Sequence, residues 1–373
     1  MTDPYRAMVV DDSAVIRGLL ARFLEADPDI SVVASVSNGQ MALDRLNRTD
    51  VEVVVLDIEM PIMDGMTALP LILKKSPGIQ VIMASTLTRK NAEVSLRALS
   101  LGAADYLPKP SSTREIHSTD TFKAELTEKV KALAGAKRNG RGHAAKPASA
   151  RLPAKERAAP IKFARPVVQK PISLRQQIVR RPSLIAIGSS TGGPQALFKV
   201  LGNLGGLVSQ PILITQHMPA TFTALLAEHI ARTSNIPCTE AKDGEAIRSG
   251  HIYLAPGDYH MIAERGASGN ILRLTQDEQE NYCRPAVDPM LRSLASLYGP
   301  RLLVIILTGM GSDGFKGADT VVARGGSVIA QDEETSVVWG MPGAVANAGI
   351  CSVVLPITEI APYVRELVAR SAA

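Results

Sequence analysis

Val51-Glu52-Val53-Val54-Val55-Leu56-Asp57 is a β-rich apolar run of strand length that stops on a carboxylate. Similar short runs flank it on both sides: Ala7 to Val10, Ile30 to Ala34, Ile79 to Ala84 and Asp105 to Leu107. Each alternates with a helical pattern up to about residue 133. Such βα repeats predict a parallel, doubly wound sheet, in which ligands gather beyond the carboxyl ends of the strands. Lying just there are Asp11 and Asp12 after the first run, Asp57 after the third, Ser85 and Thr86 after the fourth, and Lys109 after the fifth. Acids at loop ends are commonly no more than solvated caps, but here three carboxylates, a hydroxyl and an ammonium converge on one rim.

Three carboxylates at one place repel one another unless a cation sits among them, and hard oxygen ligands select Mg²⁺ or a similar ion. With a metal and Lys109 neutralising charge, Asp57 can accept a phosphoryl group, because phosphoryl transfer needs mainly positioning and charge neutralisation. The set resembles the response-regulator receiver family over residues 5 to 125: the pair Asp11-Asp12, Asp57 followed by Met60-Pro61-Ile62-Met63-Asp64-Gly65, a hydroxyl at Ser85, and Lys109-Pro110. That resemblance implies a flavodoxin-like domain with Asp57 as phosphoacceptor. It further implies Mg²⁺ held by Asp12, Asp57 and the Glu59 backbone carbonyl, with Asp11 assisting through water. Ser85, rather than its neighbour Thr86, becomes the switch hydroxyl and Lys109 the counter-charge, and the phosphodonor is a phosphohistidine on a sensor kinase.

A chain of 373 residues exceeds the size at which one core usually stops growing, so a second domain is expected. The net charge of +5 hints at nucleic acid until it is located: residues 134 to 183 hold 13 of the 41 Lys+Arg and a single acid, Glu156. The remainder carries 28 basic against 35 acidic residues, a net −7. The basic segment is rich in proline and alanine without apolar period, the composition of an extended linker. The organisation predicted is therefore a receiver over 1–130, a basic linker over 131–182 and a second α/β domain over 183–370. No apolar run approaches the roughly 20 residues that cross a bilayer, and the N-terminus lacks the layout of a secretory signal, so cytoplasmic residence without membrane insertion is expected. Three scattered cysteines, Cys238, Cys283 and Cys351, form neither a disulfide framework nor a metal spacing.

In the second half, strand candidates run over Leu184 to Gly188, Ile212 to Thr215, His251 to Ala255, Leu302 to Thr308, Ser327 to Ala330 and Ser352 to Leu355. The first enters Gly188-Ser189-Ser190-Thr191-Gly192, which fits the G-x-S-x-G turn that exposes a central serine. Glycine-rich strand-to-helix turns also cradle phosphates, so a catalytic reading needs a base and an orienting acid on the same rim. His217 follows the next strand. Of the other histidines, His143 falls in the linker, His117 and His229 in helical or loop contexts, and His251 at a strand start; His260 remains as a second loop candidate. Asp313 follows the most apolar strand, with Asp258 and Asp288 as rivals, and the turn Gly309-Met310-Gly311 leaves amides free for an oxyanion. The chain order Ser, His, Asp disfavours ordinary lipases.

These stretches, with Thr215-Gln216-His217-Met218-Pro219, Ala255-Pro256-Gly257-Asp258, Arg284-Pro285-Ala286-Val287-Asp288 and Gly340-Met341-Pro342, closely resemble the chemotaxis protein-glutamate methylesterase family over residues 183 to 360. Tyr282-Cys283 departs from the polar and basic residues expected before Arg-Pro. By this resemblance the second domain is a Rossmann-like serine esterase with Ser190 as nucleophile, His217 as general base and acid, Asp313 orienting the imidazole and the Met310 amide donating to the oxyanion. Ser189 is then only a neighbour. The implied reaction hydrolyses glutamyl methyl esters on the cytoplasmic helices of chemoreceptors, and deamidates glutamines by the same acyl chemistry, without a cofactor in the esterase. Two rivals remain: a receiver coupled to DNA binding through the basic segment, disfavoured by the absence of a helix-turn-helix pattern, and a non-catalytic anion site at Gly192-Gly193.

Overall fold

A β-branched run without outward polar residues must be covered on both sides, and Val53–Asp57 at the centre of the first domain is buried at every position. A computed structural model describes residues 3–86, 88–109, 119–142, 172–175 and 180–369. Strands β1 (Tyr5–Val10), β2 (Ile30–Val36), β3 (Val53–Asp57), β4 (Gln80–Thr86) and β5 (Asp105–Lys109) form one sheet in the order β2-β1-β3-β4-β5. All its pairings are parallel. Around it run α1 (Ala14–Glu25), α2 (Gly39–Leu46), α3 (Gly65–Lys75), α4 (Arg89–Ser100) and α5 (Thr119–Gly142). Ser13, Asn38, Asp64 and Thr88 cap the first four by accepting from an amide of the first turn, which starts each helix just past a strand end.

The linker expectation needs correcting at its start. Helix α5 continues to Gly142, because Leu133 and Ala134 are buried, Lys137 donates to the Val51 carbonyl at 2.9 Å and Arg138 makes two bonds to Glu52 at 2.7 and 2.8 Å. Two of the 13 basic residues that suggested a free segment, Lys137 and Arg138, are used on the receiver itself. Residues 143–171 and 176–179, the body of the expected linker, lie outside the described residues, as do Pro110 and His117.

The second sheet has seven strands in the order β14-β13-β12-β6-β7-β9-β8, all parallel. They are β6 (Leu184–Ser189), β7 (Ile212–Gln216), β8 (Cys238–Glu240), β9 (Ile252–Leu254), β12 (Leu302–Ile306), β13 (Ser327–Gln331) and β14 (Val353–Leu355). Its helices are α6 (Gly193–Leu204), α7 (Ala220–Ser234), α8 (Val287–Tyr298), α9 (Phe315–Ala323), α10 (Met341–Asn347) and α11 (Ile357–Ala369). The strand order reverses between β6 and β12, so the crevice beyond their carboxyl ends is where an open α/β sheet holds its ligand.

An antiparallel hairpin, β10 (His260–Gly266) and β11 (Gly269–Thr275), was not foreseen, nor was β8. Half-exposed hairpin strands carry charges such as Glu264 and Arg265 and lack the apolar run that marks a buried parallel strand. His260 accordingly opens a strand rather than occupying a free loop.

The two domains touch. Helix α4 packs on α6 and α7, the Tyr106 ring stacks on Phe222 with centroids 4.3 Å apart, and the Gln195 amide donates to the Ala103 carbonyl. Val338 joins the apolar cluster of the receiver, with Met310 packed against that cluster. Among the described residues no helix is long and apolar enough to cross a membrane.

Candidate functional site

At the receiver rim, Lys109 Nζ lies 2.6 Å from both Asp11 Oδ2 and Asp57 Oδ1, bridging two buried carboxylates. Asp12 is exposed, yet carboxylate oxygens of Asp11, Asp12 and Asp57 all fall within 4.8 Å of one another, a hard-oxygen set suited to a divalent cation. Burial pushes the Asp57 carboxyl above its usual range, outweighing the Lys109 ammonium beside it. The Glu59 side chain pairs with Lys90 at 3.3 Å. Ser85 is buried with its hydroxyl 3.2 Å from Ser95 on α4, whereas Thr86 is exposed and accepts from Asn91 at 2.8 Å. Among the described residues neither hydroxyl bonds to Asp57 or Lys109 in this conformation.

On the second rim, β6 delivers Ser189 and Ser190 into a tight turn closed by the Gly193 amide donating to the Ser190 carbonyl at 2.7 Å. The left-handed position of that turn is Gly192, with φ 75°, where a Cβ would press on Val337. Ser189 is fully buried and donates to Gln216 Oε1 at 2.7 Å, so it is a satisfied core hydroxyl. Ser189 and Gln216 are the last paired residues of β6 and β7, so Ser190 and His217 are the first residues beyond those strands. The His217 amide donates to the Ser189 carbonyl at 3.2 Å.

His217 Nε2 is 2.7 Å from Asp313 Oδ2. Asp313 is 2 % exposed and accepts from the Val287 and Asp288 amides, the first two residues of α8, at 2.6 and 3.2 Å. It thus sits at a helix N-terminus, which favours an anion. The Gly314 amide at 2.9 Å and Asn281 Nδ2 at 2.8 Å complete its shell. Burial would raise the Asp313 carboxyl, but the imidazole and these amides hold it below its usual range. For His217 burial works against the charged ring, while the bonds to Asp313 and Cys283 outweigh it and raise the imidazole to about 10.

In the neutral tautomer that gives Nε2–H to Asp313, Nδ1 is the nitrogen left to take a proton from an alcohol. Here it faces Cys283 Sγ at 3.4 Å. Among the described residues Ser190 Oγ makes no hydrogen bond to His217, so the structure joins the imidazole to its acid but not to the serine. Gly309 lies against Ser190: a Cβ there would sit 2.9 Å from Ser190 Cβ. The adjoining Met310 amide donates to nothing among the described residues, as an oxyanion donor requires.

Several sequence candidates are placed elsewhere. His260 is buried, accepting from the Ala286 amide at 3.1 Å and contacting the Glu278 carbonyl at 3.0 Å. His229 packs with its ring tilted against Phe198, and His251 pairs with Thr239. Asp288 accepts from the Gly317 amide at 2.6 Å and supports the α8–α9 junction. Sequence reasoning missed Asn281, which reaches both Asp313 and Asp288. Its signal was weak: an asparagine in a turn, where φ is 53° at Asn281 and 61° at Tyr282.

Fold and sites together define a class: a two-domain α/β protein that couples a receiver to a serine-hydrolase-like parallel sheet. The CheB methylesterase family model matches residues 185–364 and the response regulator receiver domain matches residues 7–119. Protein-glutamate methylesterase/protein-glutamine glutaminase 1 of Rhodospirillum rubrum is 60% identical, over 97% of this chain and 94% of that protein. The corresponding protein of Azospirillum brasilense is 56% identical, over 99% and 94%. The chain belongs to the CheB methylesterase family. Among solved structures, the Thermotoga maritima CheB methylesterase catalytic domain is 42% identical, covers 50% of this chain and 98% of its own, and has a TM-score of 0.49.

Proposed function

We propose that the chain is a phosphorylation-controlled protein-glutamate methylesterase and protein-glutamine deamidase acting on chemoreceptors in the cytoplasm. The supporting observation is the 2.7 Å pair His217–Asp313 just past the end of β7, the strand paired with the β6 strand that leads into Ser190. In this reading Ser190 attacks the glutamyl ester carbonyl while its proton passes to His217 Nδ1, which requires the imidazole to leave Cys283. The Met310 amide faces the developing oxyanion. Protonated His217 then gives its proton to the departing methoxide, and a water deprotonated by the same ring resolves the acyl-enzyme. With a glutamine side chain the leaving group is ammonia, and the steps are otherwise unchanged. Asp313 keeps the ring oriented and its positive charge matched.

In the receiver, Asp11, Asp12, Asp57 and the Glu59 carbonyl would hold Mg²⁺, which supplies charge neutralisation for phosphoryl transfer from a sensor kinase to Asp57. The contact of Met310 and Val338 with the receiver cluster and the Tyr106–Phe222 stack support steric control, in which the resting receiver limits access to the rim. Methanol release from methylated receptor, measured with and without a phosphodonor, tests the whole reading. Release that a phosphodonor stimulates in the intact chain is expected; a protein that releases no methanol under either condition contradicts it.

A further inference from the structure

We propose that Cys283 is a modification site: a thiol activated by His217, on which a hydroperoxide forms a sulfenic acid that blocks the esterase. The contact to the imidazole separates this cysteine from the other two. Cys238 and Cys351 are buried in apolar surroundings that push their thiols up to about 12, the environment of inert structural cysteines. Cys283 is partly exposed, and its sulfur is 3.4 Å from His217 Nδ1, whose Nε2 is 2.7 Å from Asp313. Nucleophile, base and orienting acid stand in line, the arrangement that activates a thiol. The sulfur is also held in place. Glu280 and Cys283 exchange both backbone hydrogen bonds, at 3.2 and 2.9 Å, across a turn whose Tyr282 is 98 % exposed.

The chemistry balances without help from elsewhere. The thiol proton passes to Nδ1, the thiolate attacks one oxygen of the peroxide, an S–O bond forms and the O–O bond breaks. Sulfur loses two electrons and the peroxide gains them; the departing hydroxide takes the Nδ1 proton and leaves as water. An added oxygen on Cys283 then stands at the one ring nitrogen that Ser190 needs. The inhibitory half of the proposal rests on the esterase reading above, whereas formation of the sulfenic acid does not.

The full-length protein is treated with hydrogen peroxide, trapped with dimedone and mapped by peptide mass. Expected are a dimedone adduct on Cys283 but not on Cys238 or Cys351, and labelling about tenfold slower in His217→Gln, since the imidazole no longer shares the proton. Should that variant not fold, alkylation of wild-type Cys283 by iodoacetamide replaces it: the rate is expected to be about tenfold higher in the folded protein than in the protein unfolded in urea. Methylesterase activity falls in step with adduct formation, returns on reduction with dithiothreitol, and in Cys283→Ser the same treatment leaves a much larger fraction of the variant's own untreated activity. Absence of a Cys283 adduct, or alkylation no faster in the folded protein than in the unfolded one, overturns the activation. Equal fractional losses in wild type and Cys283→Ser overturn the inhibition. An untreated protein without esterase activity fails the functional reading instead, and the adduct still decides the reactivity of the thiol.

Discussion

The two rims obey the same architectural rule and differ in how complete they are. In the receiver, Lys109 already spans Asp11 and Asp57 at 2.6 Å each, so the charged groups meet without any side chain turning. In the esterase domain the imidazole and Asp313 are joined, but the free nitrogen is given to Cys283 and the serine stands apart. A receiver pocket needs only charges held close together, whereas a nucleophile needs one proton path of defined direction. The second requirement leaves room for a resting arrangement that the first does not.

Variants can break or sharpen that contrast. The largest effect belongs to Ser190→Ala, expected to lower methanol release by on the order of 10⁴-fold or more while phosphorylation of Asp57 proceeds unchanged. Turnover that survives this change moves the nucleophile elsewhere, although Ser189 is locked against Gln216. Asp313→Asn comes next, with an expected loss of about 10³- to 10⁴-fold in kcat because the buried ring loses its orienting anion. Asn281→Ala removes one bond to that anion and should cost about tenfold in kcat, with little change in KM. A change confined to KM would show that Asn281 contacts substrate instead of positioning Asp313.

The pH profile probes the Cys283 contact. Because the catalytic base is the unprotonated ring and His217 is raised to about 10, the rate should climb with pH across the neutral range toward that value. Cys283→Ser removes one of the groups that favour the charged ring, so its rising limb is expected at lower pH; an unmoved limb contradicts the contact. The smallest effect concerns the interface: deleting residues 1 to 160 should raise basal esterase activity severalfold by uncovering Met310 and Val338, which pack on the receiver cluster. An inert or slower truncated protein would argue against steric cover.

Much of this was legible in the sequence for a physical reason. Parallel strands buried on both faces read as apolar runs with candidate residues directly after them, which put Asp57, Lys109, His217 and Asp313 among the candidates by position, while only the family resemblance chose His217 over His260 and Asp313 over Asp258 and Asp288. What escaped lies where structure depends on distant partners. The β10–β11 hairpin is half-exposed and carries no strong period, so the placement of His260 was misread. Helix α5 runs on past its expected end because Lys137 and Arg138 find acceptors on Val51 and Glu52, more than eighty positions away in the chain. Asn281 and Cys283 reach the catalytic ring and its acid from a two-residue turn that no spacing rule connects with strand ends. The departure at Tyr282-Cys283 marked the right loop without revealing its partner.

The most direct measurement is covalent labelling of the intact protein with a serine-directed acylating probe, read as the modified residue in a peptide map. The account predicts one adduct on Ser190, lost in His217→Gln and accompanied by loss of methanol release. A fully active protein that carries no adduct on Ser190, or one that is labelled on Ser189 instead, would contradict it.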